Sequence, residues 1–173
     1  NGTSEPLDVS GTATLDITTV NDAPTTSAVT LTAIAEDSGA LEITNAQLIA
    51  SAVDQESDTL TVSNLAIASG SGTLVDNNNG TWSYTPAAND NTSVSFSYTI
   101  TDDGTTNGTS EPLDVSGTAT LDITTVNDAP TVVGNGIPDA VSTSSFSLNN
   151  ISRFFADLDG DDLSYSVETD TGT

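Results

Sequence analysis

The sequence predicts an all-β protein built from Greek-key β-sandwiches, and three observations carry this prediction: alternating strands, an asparagine-rich hairpin and a long internal repeat. Apolar residues alternate with Ser, Thr or Asp in several short segments, which is the period of a half-buried strand. About seven such strands separated by turn residues are typical of a Greek-key sandwich. The alternating segments are Val29-x-Leu31, Leu60-x-Val62, Trp82-x-Tyr84, Val94-x-Phe96-x-Tyr98-x-Ile100 and Leu113-x-Val115.

Two local signals lie between these strands. The run Asp76–Gly80 (DNNNG) predicts a hairpin turn rather than a metal site, because Asn and Gly tolerate the positive φ angles that such turns require. The stretch Ala46–Ala50 predicts a single helical turn with Asn45 as its N-cap.

The internal repeat indicates the domain organisation. Residues 1–25 recur without a change at residues 107–131, and this offset of about 106 residues has the size of a domain. We therefore expect a tandem array of separately cored modules. The expected parts are the C-terminal strands of a preceding repeat (1–22), one complete repeat (23–130) and the N-terminal part of a second, truncated domain (131–173).

The composition excludes several classes of chemistry. One basic residue stands against 25 acidic ones, which gives a net charge of −24, and Cys and His are absent. Disulfides, thiolate or imidazole zinc sites and Ser–His or Cys–His nucleophile pairs are therefore excluded, and we expect no enzyme. A surface this negative repels phosphate, and no apolar run is long enough to cross a bilayer, so we expect neither nucleic-acid binding nor membrane insertion.

Most carboxylates fall in small groups between the strands. Groups of oxygen ligands separated by flexible Gly and Asn suit a hard cation of variable coordination, which favours Ca²⁺ over Zn²⁺ or Cu²⁺. The groups are Glu36-Asp37, Asp54 to Asp58, Asp102-Asp103, Asp157 to Asp162, and the Asn-Asp-Ala-Pro segments that begin at Asn21 and Asn127.

These motifs resemble a known family. The segment Leu15–Pro24 (LDITTVNDAP) is similar to the final strand and interdomain linker of cadherin domains. The order of the acidic groups, the DNNNGTWSYTPAA segment at Asp76–Ala88 and the YTITDDG segment at Tyr98–Gly104 make residues 23–130 resemble the bacterial cadherin-like (Ig-like) repeats of large, type I-secreted RTX adhesins. Residues 131–173 resemble the start of a dystroglycan-type cadherin-like domain.

The resemblance implies a Ca²⁺ clamp at each domain junction, with the ligands carried over by position. The first junction would use Asn21, Asp22, Asp54, Glu56 and Asp102. The second junction would use Glu36, Asn127, Asp128, Asp157 and Asp159.

The resemblance also implies an extracellular protein at the bacterial cell surface or secreted from it, active in cell adhesion and biofilms. The favoured function is a non-enzymatic, calcium-rigidified spacer whose partners are the neighbouring repeats of the same chain, because tandem copies satisfy a requirement for length. The alternative is a module that itself binds a glycan or a cell-surface protein.

Overall fold

The computed structural model describes Gly2, residues 10–134 and residues 151–166. Within this part the chain forms β-strands, one short helix and one 3₁₀ turn (Ile151–Phe154), so the all-β prediction is confirmed. None of the described helices has the length and apolarity to cross a membrane. The strands are β1 (Val29–Thr30), β2 (Ile34–Ala35), β3 (Leu41–Thr44), β4 (Thr61–Ser69), β5 (Thr73–Asp76), β6 (Thr81–Thr85), β7 (Val94–Thr101), β8 (Thr105–Thr106), β9 (Thr109–Ser110), β10 (Asp114–Leu121), β11 (Ile123–Thr124), β12 (Thr131–Val132) and β13 (Phe155–Ala156), and the helix is α1 (Asn45–Leu48).

Two sheets pack face to face in the module. The larger sheet has the order β1-β10-β7-β4, with β1 parallel to β10 and the other neighbours antiparallel. The smaller sheet has the order β3-β6-β5 and is antiparallel throughout. Short pairs extend the sandwich: β2 lies parallel to β11, and β8 and β9 form a separate hairpin. This is the predicted β-sandwich.

The core lies between the two sheets. Along β7, the side chains of Val94, Phe96, Tyr98 and Ile100 are all buried, and the residues between them point outward. The ring of Tyr84 on β6 meets the Phe96 ring edge-on at 5.4 Å between centroids, which joins the two sheets. The Tyr98 hydroxyl donates to the Leu48 carbonyl at 2.8 Å, so the polar end of this buried ring is satisfied.

The predicted hairpin turn and helical turn are both present, but the N-cap of the helix is one residue earlier than predicted. The turn after β5 is the expected hairpin, with Asn78 and Gly80 at φ 57° and 81°. The N-cap of α1 is Thr44 and not Asn45, because Thr44 and Gln47 form a reciprocal capping box. The Asn45 side chain instead accepts a hydrogen bond from the Val62 backbone at 2.7 Å, so it ties the helix to β4.

The two copies of the repeated 25-residue segment differ in structure. Residues 114–121 form β10 between β1 and β7, whereas the described residues 10–22 of the first copy contain no strand. Leu121 is fully buried, and its counterpart Leu15 is 85% exposed. The identical sequence forms a strand only where partner strands flank it. The assignment of residues 1–22 to a preceding repeat stays a prediction.

This pair of leucines gives a matched test of the core. Leu121→Ala should lower the free energy of unfolding by about 2–5 kcal/mol, because it leaves a cavity between the sheets. Leu15→Ala removes the same atoms from an exposed position and should change the stability by less than about 0.5 kcal/mol. Urea unfolding followed by the fluorescence of Trp82 measures both; equal effects would contradict the placement of β10 in the core.

Candidate metal centres

The first candidate centre forms where the linker Asn21–Asp22 meets two loops of the module. Asn21 is only 5% exposed, and its amide nitrogen donates to Asp102 Oδ1 at 3.0 Å. The backbone N–H of Asp22 donates to Glu56 Oε2 at 3.2 Å. Together with Asp54 in the same loop as Glu56, the structure thus brings together all five residues predicted for the first junction.

The loop from Asp54 to Asp58 folds around its own first carboxylate. Asp54 Oδ1 accepts hydrogen bonds from the backbone N–H groups of Glu56 at 3.1 Å and Asp58 at 2.9 Å, which is the local bonding that Asp favours in turns. As a result one carboxylate oxygen from each of Asp54, Glu56 and Asp58 lies within 4.8 Å of the others. Three like charges are therefore held in one small volume.

Four side-chain oxygens at this centre are buried without a hydrogen-bond partner among the described residues. Buried polar atoms in proteins are nearly always paired, because an unpaired one costs about 1–3 kcal/mol. The unpaired oxygens of Asn21 and Asp102 belong to side chains that are 5% and 3% exposed. These four atoms are Asn21 Oδ1, Asp54 Oδ2, Asp58 Oδ2 and Asp102 Oδ2.

The electrostatics differ between two carboxylates of the first centre, Asp58 and Asp102. Partial burial, followed by the negative charges of Asp54 and Asp103, raises the pKa of Asp58. Burial also acts on Asp102, but N–H donors from Leu113, Gly104 and the Asn21 amide outweigh it and lower the pKa of Asp102. Asp102 is thus held ionised, whereas Asp58 is charged only against the repulsion of its neighbours.

Sequence reasoning missed Asp58 and Asp103 as members of this centre. Asp103 Oδ1 accepts the Thr59 backbone N–H at 2.7 Å, which brings the end of the acidic loop to the Asp102–Asp103 turn. The signal for Asp58 was present in the sequence, because acids at every second residue of Asp54–Asp58 lie on one side of such a loop.

The second candidate centre repeats the geometry of the first. Asp157 Oδ1 accepts the backbone N–H groups of Asp159 and Asp161, both at 3.1 Å, as Asp54 does for its own loop. The linker backbone N–H of Asp128 donates to Asp159 Oδ2 at 2.6 Å, in the same way that Asp22 contacts Glu56. Residue Asp161, which sequence reasoning did not select, is the counterpart of Asp58.

The module adds three further side chains to the second centre. Glu36 is 4% exposed, and its Oε1 accepts the Val126 backbone N–H at 2.9 Å. The Asn89 amide lies between two carboxylates. When its nitrogen is assigned to face these acceptors, it lies 3.1 Å from Asp128 Oδ2 and 3.2 Å from Asp37 Oδ2. Partial burial, followed by the charges of Asp37 and Asp159, raises the pKa of Asp128.

Most residues of this second centre line an open cleft of about 420 Å³. Asn127 lines the cleft but is exposed, and among the described residues its amide donates to the Asp128 carbonyl at 3.3 Å. Asp37 and Asn89 were missed by sequence reasoning; Asn89 belongs to a loop whose path to the linker no local pattern reveals. The lining of the cleft includes Glu36, Asn89, Asn127, Asp128, Asp159 and Asp161.

The donor set of both centres fits a calcium ion. Carboxylate and amide oxygens on flexible loops are the ligands that Ca²⁺ takes, in sets of six to eight. The four unpaired oxygens of the first centre accept no hydrogen bond from the described residues, so all four are available to coordinate an ion. At the second centre Glu36, Asp128, Asp157 and Asp159 would supply most of the charge.

The crowding around Asp58 gives a metal-free prediction. Asp58→Asn should raise the melting temperature in EGTA at pH 7, because it removes one charge from a repelling group. A raised folded-state pKa contributes stability below the unfolded value near 3.8, and this contribution is lost as the pH rises through the folded-state value. The advantage of the variant should therefore shrink as the pH is lowered through this range, where Asp58 itself takes up a proton.

Asp16→Asn is the matched control for Asp58→Asn, because Asp16 is exposed in a described segment without strands. It changes the net charge equally and should leave the melting temperature in EGTA unchanged. Differential scanning calorimetry between pH 4 and pH 7 compares the two variants. If both shift the transition alike, the repulsion is a property of the net charge and not of the acidic loop.

Comparison with known proteins identifies a family for most of the chain. A model of the cadherin-like domain matches residues 20–123. No curated protein matches the chain.

Two solved structures are similar in part. One is a nucleoside hydrolase-related hypothetical protein from Saccharophagus degradans associated with carbohydrate metabolism, with 14% identity over 60% of this chain and 26% of that chain and a TM-score of 0.41. The other is an endo-fucoidan hydrolase from glycoside hydrolase family 107, with 21% identity over 63% of this chain and 15% of that chain and a TM-score of 0.39. This chain therefore spans only a small part of either protein. With the family model matching well over half of its residues, the chain belongs to the family of cadherin-like domains.

Proposed function

We propose that this chain is a calcium-stiffened extender segment of a bacterial cell-surface adhesin, without enzymatic activity. The observation that carries the proposal is the set of four buried, unpaired oxygens where the linker Asn21–Asp22 meets the module. In a cadherin-like domain we expect such oxygen atoms to act as ligands of Ca²⁺.

The mechanism follows from where the carboxylates lie relative to the linkers. Each linker is covered by acids from the domain that follows it, and at the second linker also by Glu36 of the module before it. Without a cation these charges repel one another and favour a swinging linker. An ion that binds oxygens from both sides removes the repulsion and fixes the angle between the domains.

Family membership, composition and the internal repeat support an extracellular location in an array of modules. Membership of the cadherin-like family supports an extracellular location. The absence of Cys from the chain is compatible with a secreted module that obtains its rigidity from metal instead of disulfides. The unchanged recurrence of 25 residues supports an array of such modules, in which the neighbouring repeats are the partners.

Calcium should raise the stability of the folded chain. An ion that binds only the folded state at one hundred times its dissociation constant adds about 2.7 kcal/mol. Thermal melts in EGTA and in millimolar CaCl₂ measure this effect, with MgCl₂ as the control cation, since Mg²⁺ demands a smaller octahedral site. A transition that does not move with Ca²⁺ would remove the metal from the proposal.

The mechanical part of the proposal is tested at the second linker. The chain has no Cys, so Ser97→Cys and Ser164→Cys, two exposed positions on either side of this linker, provide specific spin-label sites. The distance distribution measured by electron–electron double resonance should narrow on adding Ca²⁺. Asp128→Ala and Asp157→Ala should each leave it broad, because each removes a carboxylate from the shared ion.

Asp76→Ala is the control for these two variants, because Asp76 lies in the exposed β5–β6 turn, where it accepts the Asn78 N–H. It should keep the full calcium response. Narrowing of the distribution in Asp128→Ala to the width of the parent would show that the linker acid is not a ligand.

A further inference from the structure

The β8–β9 hairpin contacts the preceding linker through hydrogen bonds that involve no carboxylate. The backbone N–H of Asn107 donates to the Thr19 carbonyl at 3.1 Å. The backbone N–H of Asn21 donates to Thr106 Oγ1 at 2.9 Å, and its amide nitrogen donates to the Glu111 carbonyl at 2.8 Å. All three bonds join neutral groups, so calcium is not needed to form them.

A tight turn closes the hairpin. Its two turn residues, Asn107 and Gly108, have φ angles of 53° and 75°, which is the Asn-Gly turn that best matches the twist of paired strands. The pairs Thr105–Ser110 and Thr106–Thr109 join its two strands. The hairpin presents the Asn107 N–H and the Thr106 hydroxyl to the linker.

Gly104 shapes the place where the linker side chain enters. It is buried, and a Cβ atom at this position would overlap the amide group of Asn21. The Glu111 backbone N–H donates to the Gly104 carbonyl at 3.0 Å, which closes the same small pocket. A larger residue at 104 would therefore expel the Asn21 side chain from this pocket.

The nitrogen and the oxygen of the Asn21 amide have different surroundings. Its nitrogen donates to Asp102 Oδ1 and to the Glu111 carbonyl, whereas its oxygen is buried and makes no hydrogen bond with the described residues. An aspartate at this position could not donate and would repel Asp102. The docking of the linker therefore requires the amide nitrogen, and a cation would use the amide oxygen.

The linker and the second half of the hairpin lie within the repeated segment, whereas Gly104 and Thr106 lie just before it. The linker residues 19–22 recur at 125–128, and the hairpin residues 107–111 recur at 1–5. We propose that the β8–β9 hairpin and Gly104 form a calcium-independent docking site whose partner is the linker of a preceding copy of the same module. This inference goes beyond the calcium-stiffened function, because it assigns the direction of the linker to neutral contacts that exist before an ion binds.

Amide hydrogen exchange by NMR on the whole chain in EGTA tests the proposal. In the parent, the Asn21 and Asn107 amides should be protected. Gly104→Ala and, separately, Asn21→Asp should each lower both protection factors by roughly five- to tenfold, the loss expected of one or two hydrogen bonds. Because residues 19–22 are identical to the end of the module itself, this is also a test of contact between copies.

The control is Gly39→Ala, where an added Cβ would meet nothing within 4 Å. It should leave both amides protected, and unchanged protection of Ile100 in β7 verifies that each variant is folded. For Asn21→Asp we expect Ca²⁺ to restore the protection, since the new carboxylate is a good ligand.

Two results would overturn the docking site: no protection in the parent in EGTA, or full protection in both Gly104→Ala and Asn21→Asp. Failure of the calcium proposal looks different. In that case the parent amides are protected in EGTA, whereas neither the melting temperature nor the spin-label distances respond to Ca²⁺.

Discussion

The structure depends on the repulsion among carboxylates that are held together at the two ends of the module. The chain has 25 acidic residues and one basic residue, Arg153, whose guanidinium lies 4.6 Å from the centre of the Phe154 ring. A single basic side chain cannot neutralise the acids of both junctions. Backbone N–H donors to Asp54, Asp102 and Asp157 relieve part of the charge, and the remainder is what the proposed cation would neutralise.

This repulsion is kept away from the core. The outward face of the larger sheet carries hydroxyl side chains in register, such as the row Ser116–Thr99–Ser63 across β10, β7 and β4. The core itself is apolar, apart from tyrosine hydroxyls that donate to carbonyls. The core therefore contains none of the crowded carboxylates. The spacer function proposed above requires this separation, because its modules would have to stay folded while the junctions respond to calcium.

The sequence was sufficient for features that depend on nearest neighbours in the chain. Alternation predicted β6 and β7, and the acid spacing predicted the loop at Asp54, because both patterns map directly onto backbone geometry. The sequence did not predict features that depend on contacts between segments distant in the chain. Residues 10–15 and 116–121 have one sequence, yet only the second copy has β1 and β7 beside it and forms a strand. Asn89 joins the second centre only because the loop before β7 passes the linker.

The two junctions show different parts of one arrangement. The first displays the linker and the receiving loops, with Asp54, Asp58 and Asp102 around Asn21. The second adds what the preceding domain contributes, namely Glu36 and the Asn89 amide.

The shared contact is the linker N–H at Asp22 or Asp128, which donates to the middle acid of the next loop. A contact made by the backbone fixes the position of the linker whatever side chain the residue carries. The side chains around it add further contacts: Asn21 donates both to the Asp102 carboxylate and to the neutral Glu111 carbonyl, and Asp128 lies beside the carboxylates of Asp37 and Asp159. In an array each junction would be set by its own two neighbours, so stiffness could be varied along the chain one linker at a time.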